Sequence, residues 1–155
     1  LLAKSVRENL TLAVIRRIAS HGVLDRSREA ALVAEMIDFL RIKVGSPEQG
    51  TDTLSGGNQQ KVIFGKMLLT EARVLLLYDP TRGVDVGTKS EIFQLMRNLA
   101  AQGYAILFYS SDLQELVNVA DRVMVLRLGQ VAATLEGERI SEDAILRAAL
   151  FEEAA

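Results

Sequence analysis

The sequence predicts a layered α/β fold, and three observations carry that prediction. Val74-Leu75-Leu76-Leu77-Tyr78 and Tyr104–Tyr109 are short apolar runs with the length of buried strands. Between them, Ile92, Leu95, Met96 and Leu99 recur at helical spacing, so strand, helix and strand alternate. Of the 155 residues, 49% are hydrophobic, enough for one domain with a sizeable core and too many for a disordered chain.

The elements follow in order. Ser5-Val6-Arg7-Glu8 has the Ser-x-x-Glu form of a capping box, and Leu10, Val14, Ile15 and Ile18 continue it as a helix. His21, the single histidine, falls beside a turn at Gly22 and is read as exposed and without a role. A second helix is expected from about Arg28 to Lys43, with Leu32, Met36, Phe39 and Leu40 on one face, ended by Gly45-Ser46-Pro47. A third runs from Gly56 to about Thr70, before the strand Val74–Tyr78. Thr88-Lys89-Ser90-Glu91 repeats the capping-box pattern and is expected to open the next helix, which Gly103 ends. Ser111-Asp112-Leu113-Gln114 caps a short helix. Arg122–Arg127 and Val131–Leu135 flank Leu128-Gly129-Gln130 as a hairpin. Ser141 opens a last helix with Ile145, Leu146 and Leu150 facing inward, and Leu75, Leu76, Ile106, Leu107 and Phe108 are expected in the core. There is no internal repeat and no low-complexity segment.

Composition excludes several functions. The net charge of −2, with both signs interspersed, gives no electrostatic case for nucleic acid. No cysteine is present, so there is neither a disulfide framework nor a thiolate metal site, which fits a reducing compartment. No apolar stretch approaches the ~20 residues needed to span a bilayer. Leu1-Leu2-Ala3-Lys4 is not a signal peptide, because Lys4, Arg7 and Glu8 interrupt it, and the missing initiator methionine suggests a partial chain.

The most informative string is Leu54-Ser55-Gly56-Gly57-Asn58-Gln59-Gln60-Lys61-Val62. Ser55 adds a hydroxyl at a helix N-terminus whose N–H groups and dipole favour an anion, and the two glycines let a phosphate approach the backbone. By itself, Ser-Gly-Gly reads as a loop before a helix. The full string resembles the signature motif of ABC-type ATPases, in the form found in the second cassette of monosaccharide (ribose-, galactose- or xylose-type) importers. Pro80-Thr81-Arg82-Gly83-Val84-Asp85-Val86-Gly87-Thr88-Lys89 is similar to the segment after the Walker B strand of the same cassettes, with the D-loop at Asp85. The order and spacing match over nearly the whole chain.

The resemblance implies a fold: a partial P-loop NTPase (ABC cassette) core with part of the helical subdomain, lacking the P-loop strand. Residues 1–155 then form one partial cassette. Residues 1–50 are the helical-subdomain portion, 51–135 the signature helix, Walker B, D-loop and core strands, and 136–155 the C-terminal helix. Removal of the P-loop strand is expected to expose a strand edge and apolar surface, so the isolated chain should self-associate.

Several family parts are missing or altered. A P-loop needs Gly-x-x-x-x-Gly-Lys-Ser/Thr, and no such string occurs; Gly65-Lys66 lies inside the signature helix, with Met67 in place of the hydroxyl. Family members use ATP and Mg²⁺, but neither is expected to bind tightly to this chain alone. Tyr78 replaces the aspartate that holds Mg²⁺, and a phenol is a poor Mg²⁺ ligand at neutral pH. Asp79 stands at the catalytic-glutamate position, one methylene shorter. A cap or turn role for Asp79 needs no absent partner and is the favoured reading. Ser111 takes the switch-histidine position.

What the resemblance leaves intact is the signature. It implies that Ser55, Gly56 and Gly57, supported by Gln59, contact ATP held by another ABC cassette, with Asp85 divided evenly between that interface and a turn. Thr81 and Arg82 shape their loop, and Arg16-Arg17 is a solvated helix edge. The implied partners are another cassette, an integral membrane permease and, indirectly, a periplasmic or extracellular sugar-binding protein. The implied place is the cytoplasmic face of the plasma membrane. Two readings remain open at this level: a C-terminal portion of a sugar-importer ATP-binding subunit, and a truncated non-catalytic module that only pairs with or competes with an intact cassette. A third, a non-transport ABC protein of DNA maintenance or translation, is disfavoured by Asn58-Gln59-Gln60 and the D-loop string.

Overall fold

Ser5 starts the first helix as its pattern predicts. In the computed structural model, which describes residues 2–151, the Ser5 side chain accepts from the Glu8 N–H and Glu8 accepts from the Ser5 N–H, capping α1 (Val6–Thr11). The described chain divides into two compact units, Leu1–Phe108 and Tyr109–Ala155.

In the first unit, α1 tightens at Leu12 into a 3-10 helix, Leu12–Arg17. The tighter turns, broken by a kink at Val14 (φ −118°, ψ 15°), rotate the side chains, so Val14 and Ile18 are buried and Ile15, expected on the same face, is exposed. His21 and Gly22, both at positive φ, turn a short hairpin between β1 (Ala19–Ser20) and β2 (Val23–Leu24). Asp25 then caps α2 (Arg26–Phe39) by accepting from the Ser27 and Arg28 N–H groups. The helix ends before Gly45-Ser46-Pro47. Arg41 adopts φ 51°, its N–H donates to the Asp38 carbonyl, and the Ile42 N–H donates to the Ile37 carbonyl. This is a Schellman end with arginine in the position glycine usually takes. The buried line of α2 runs through Val33, Met36 and Leu40, and Phe39 points to solvent.

A 3-10 turn, Thr51–Thr53, leads to α3 (Gly56–Leu69) and β3 (Val74–Tyr78), both where expected. The next helix, α4 (Val86–Ala101), starts earlier than its second capping-box pattern suggests. Asp85 is the cap, accepting from the Thr88 N–H and hydroxyl, which leaves Thr88 in the first turn. Gly103 at φ 87° ends that stretch, and β4 (Ala105–Tyr109) lies beside β3.

The core expectation for these strands needs correction. Leu75 is buried, but Leu76 is 69% and Leu107 67% exposed, while Ile106 and Phe108 are half-buried. Alternating strand side chains cover one face of β3 only; Val74, Leu76 and Tyr78 line the other. An apolar face of this kind favours association. Leu76→Lys with Leu107→Glu is expected to lower the scattering mass of the chain at rising concentration, and unchanged scattering would count against this face as the sticky one.

In the second unit, Asp112 caps α5 (Leu113–Val119) by accepting from the Gln114 N–H. The hairpin of β5 (Arg122–Arg127) and β6 (Gln130–Glu136) is antiparallel, with Leu128 and Gly129 both at positive φ in the turn. Ser141 caps α6 (Glu142–Leu150). The core of this unit is Val123, Val125, Ile140, Ile145 and Ala148. Leu146 and Leu150, expected inward, are exposed: at about 100° per residue they fall on the side of α6 opposite Ile145 and Ala148. The expected span of the last helix, to residue 155, lies partly outside the described residues.

Candidate functional site: the loop before the third helix

Leu54 is buried and anchors the loop, and Ser55 turns out of it in an extended conformation (φ −60°, ψ 151°) to start α3. No side chain caps this helix. The Ser55 hydroxyl is instead held from the side, accepting from the Asn58 amide at 2.9 Å. Asn58 is itself fixed, because its carbonyl oxygen accepts from the Lys43 N–H at 2.8 Å. Gln59 donates from Nε2 to the Leu54 carbonyl at 3.0 Å, which ties the loop back on itself. Ser55 and Gly56 face solvent, and Gly57 is buried.

The burial of Gly57 has a close cause. A Cβ there would sit 2.0 Å from the Thr88 methyl carbon, and a Cβ on Gly56 would sit 3.2 Å from the Gly83 carbonyl oxygen. The loop before α3 is therefore seated on the 83–88 segment, and Asp85, which caps α4 there, joins the same surface. Hydrogen bonds from the Thr88 hydroxyl and N–H hold the Asp85 carboxylate below its ordinary pKa, so it is ionised at neutral pH. Gly83 turns the segment at φ 74°.

Tyr78 and Asp79 lie at the end of β3. Tyr78 is exposed; Asp79 is buried at φ 44°, and its carbonyl accepts from the Arg82 N–H. Ser111 belongs to the second unit and is exposed there. Its neighbour Ser110 is buried, donates to Glu115 at 2.6 Å and accepts from the Asp112 N–H. Arg17 is more than a solvated edge: it donates to the Leu69 carbonyl at 2.8 Å, at the C-terminal end of α3, and pairs with Glu71. Asn58, Lys61 and Thr88 were given no role in the site from the sequence. Lys61 carried a visible signal, a cation directly before the apolar run Val62-Ile63-Phe64.

The chemistry of this loop suits an anion: donor N–H groups without a side-chain cap, a serine hydroxyl and the positive end of a 14-residue helix dipole. A nucleotide phosphate fits it. Among the described residues, no group of three or more His, Cys, Asp or Glu is placed to hold a metal ion. Also among them, no helix is long and apolar enough to cross a membrane.

The fold is that of part of an ATP-binding cassette. It superposes on a solved cassette of an ABC transporter with a TM-score of 0.79 at 24% identity, covering 96% of this chain and 63% of that one. A dimeric cassette solved in a post-hydrolysis state with ADP and Pi matches at a TM-score of 0.73 and 20% identity, covering 88% and 58%. Over nearly its whole length the chain is similar to sugar-import ATP-binding proteins. It is 47% identical over 150 residues to a ribose import ATP-binding protein of Mesorhizobium japonicum, covering 97% of this chain and 29% of that protein. It is 48% identical to a ribose import ATP-binding protein of Geobacillus kaustophilus (96% and 30%) and 45% identical to an arabinose import ATP-binding protein of Rhizobium meliloti (95% and 29%). The chain thus spans under a third of the length of these relatives. No protein-family model matches it.

Proposed function

We propose that this chain is the C-terminal portion of the ATP-binding subunit of an ABC-type sugar importer. It supplies the signature motif in trans to ATP held by a partner cassette. The observation that carries this reading is the uncapped start of α3, with Ser55 and Gly56 exposed and the whole loop braced by Asn58, Gln59 and the 83–88 segment. Such donors, fixed before the anion arrives, stabilise negative charge without the cost of reorganising. Bound ATP would supply the phosphate charge they address. Ser55 donates its hydroxyl, the N–H groups at the start of α3 orient toward the phosphate, and Asp85 shapes the facing surface.

The Walker side of the chain supports a donor role. Tyr78 offers a phenol where the family places a magnesium-binding carboxylate. Asp79 and Ser111 stand at the catalytic-glutamate and switch-histidine positions and carry no step in this reading. In this reading residues 1–50 belong to the helical subdomain, which faces an integral membrane permease at the cytoplasmic surface. ATP binding and hydrolysis in the assembled pair then drive carbohydrate transport from a sugar-binding protein outside.

The altered Walker positions also favour a second reading, a non-catalytic module that pairs with a cassette without activating it. One experiment separates the two. The Mg-ATPase of an intact cassette, with its own P-loop, Walker B pair and switch histidine, is measured with and without this chain. Stimulation that disappears with Ser55→Arg is expected. Pairing without stimulation supports the second reading, and stimulation that survives Ser55→Arg sinks the first.

A further inference from the structure

Lys61 is a buried cation that the phosphate-facing loop does not use. It lies on α3, four residues after Gly57, and is 7% exposed. Its ammonium donates to Glu91 Oε2 on α4 at 2.7 Å and to the Arg41 carbonyl at 3.3 Å. That carbonyl belongs to the left-handed residue that ends α2. One side chain thus joins three pieces: the helix that starts at Ser55, the helix capped by Asp85, and the end of α2.

We propose that Lys61 is a positioning residue for the anion-facing loop, clamping α3 to α4 so that the donors at Ser55–Gly57 and the Asp85 segment keep one fixed geometry. The proposal rests on the trans-signature reading above. Two contacts then join the same pair of helices. Gly57 meets Thr88 at their N-terminal ends, and Lys61 meets Glu91 about one turn further along each. A single contact leaves a pair of helices free to pivot about it, whereas two contacts a turn apart remove that freedom. A third tie comes through Asn58, which holds Lys43, just beyond Arg41, as well as Ser55.

Electrostatics agrees with the geometry. The hydrogen bond from Lys61, followed by its charge, holds the Glu91 carboxyl below its ordinary pKa. Buried lysines are rare unless paired, and this one keeps its partner at the exposed end, where Glu91 is 56% solvent-accessible. The stem of Lys61 packs inside while its head is held, which suits a clamp better than a solvated face.

The test uses two readouts on the same chain. Lys61→Met is assayed for stimulation of a partner cassette, and spin labels at Ile63→Cys and Gln94→Cys report the α3–α4 distance; the chain has no cysteine of its own. The expectation is a fall of about tenfold in the kcat of stimulated ATPase, with the KM for ATP unchanged, because donors displaced by a fraction of an ångström lose much of their effect. The distance distribution should broaden, and Lys61→Arg should restore both. Where Lys61→Met melts the chain, Glu91→Gln, at an exposed carboxylate, replaces it with the same expectations. Full stimulation by Lys61→Met, or lost stimulation with an unchanged distance, overturns the proposal. If the unsubstituted chain fails to stimulate, the trans-signature reading fails; the clamp is then judged on distance alone, and an unbroadened distribution overturns it.

Discussion

Gly57→Ala is expected to destabilise the chain by about 1–3 kcal/mol and to abolish its stimulation of a partner cassette. The new methyl would lie 2.0 Å from the Thr88 methyl, 2.9 Å from the Thr88 hydroxyl and 3.0 Å from its Cβ. Rotating Thr88 away would relieve the first contact but would break its hydroxyl bond to Asp85, leaving only the backbone half of the α4 cap. The expected sign is not trivial, because alanine in a helix gains about 1 kcal/mol over glycine. A loss therefore means that the contact outweighs the propensity. Thr88→Ala removes the methyl and hydroxyl while keeping Cβ, so the double variant should recover part of the loss, and the two changes should be non-additive. Thermal melts of the four proteins decide it. A raised melting temperature in Gly57→Ala alone would show that α3 and α4 are not held as close as the structure has them.

The second large effect is expected at Glu29. This carboxylate is 3% exposed and accepts from Arg7, Arg26 and Thr11, joining α1 to α2. Arg7 extends the network to Glu48 at 2.6 Å. Desolvation, the largest influence on Glu29, raises its pKa, but the bonds from Arg26, Thr11 and Arg7 together outweigh it and hold the group below its ordinary value of 4.5. A carboxylate whose folded-state pKa is depressed contributes stability above its unfolded pKa and loses it as pH falls through the folded one. The contribution is thus complete at neutral pH and fades in the acid range below about 4.5. Glu29→Ala is expected to cost about 2–3 kcal/mol at pH 7, toward the low end for a broken buried pair because Arg26 reaches solvent. Glu29→Gln should cost less and flatten the acid limb of stability, which urea melts from pH 7 down to pH 3 would measure. An acid limb as steep as that of the unsubstituted chain would place the acid sensitivity elsewhere, at Glu8, Glu48, Asp25, Asp85 or Glu91, whose pKa values are also lowered.

Much of the fold was legible residue by residue. The Ser5–Glu8 box, the strand Val74–Tyr78, the start of α3 after Ser55, the stop at Gly103 and the Leu128-Gly129 turn are local devices. Each depends on residues a few positions apart, so the chain displays it without a third dimension. The misread features depend on something else. Arg41 ends α2 at a left-handed position that glycine usually marks, so no breaker announced it. Asp85 outcompeted Thr88 as cap because a carboxylate accepts two bonds from the same residue. Ile15, Phe39, Leu146 and Leu150 were assigned inward from apolar residues grouped on an expected helix face, and the helix they sit on turned them out.

The candidate site divides along the same line. Sequence by itself determined the signature string, the absence of a P-loop string within these residues, and the change to Tyr78-Asp79, because these are matters of residue identity. Only the tertiary structure decided that Gly57 is small for the sake of Thr88, that Asn58 holds both Ser55 and Lys43, and that Lys61 reaches Glu91 thirty residues away. It also decided that Leu76 and Leu107 face solvent. The physical reason is common to all of these. A motif specifies which donors and charges are available, but whether they are held, buried or left open depends on which distant segment packs against them.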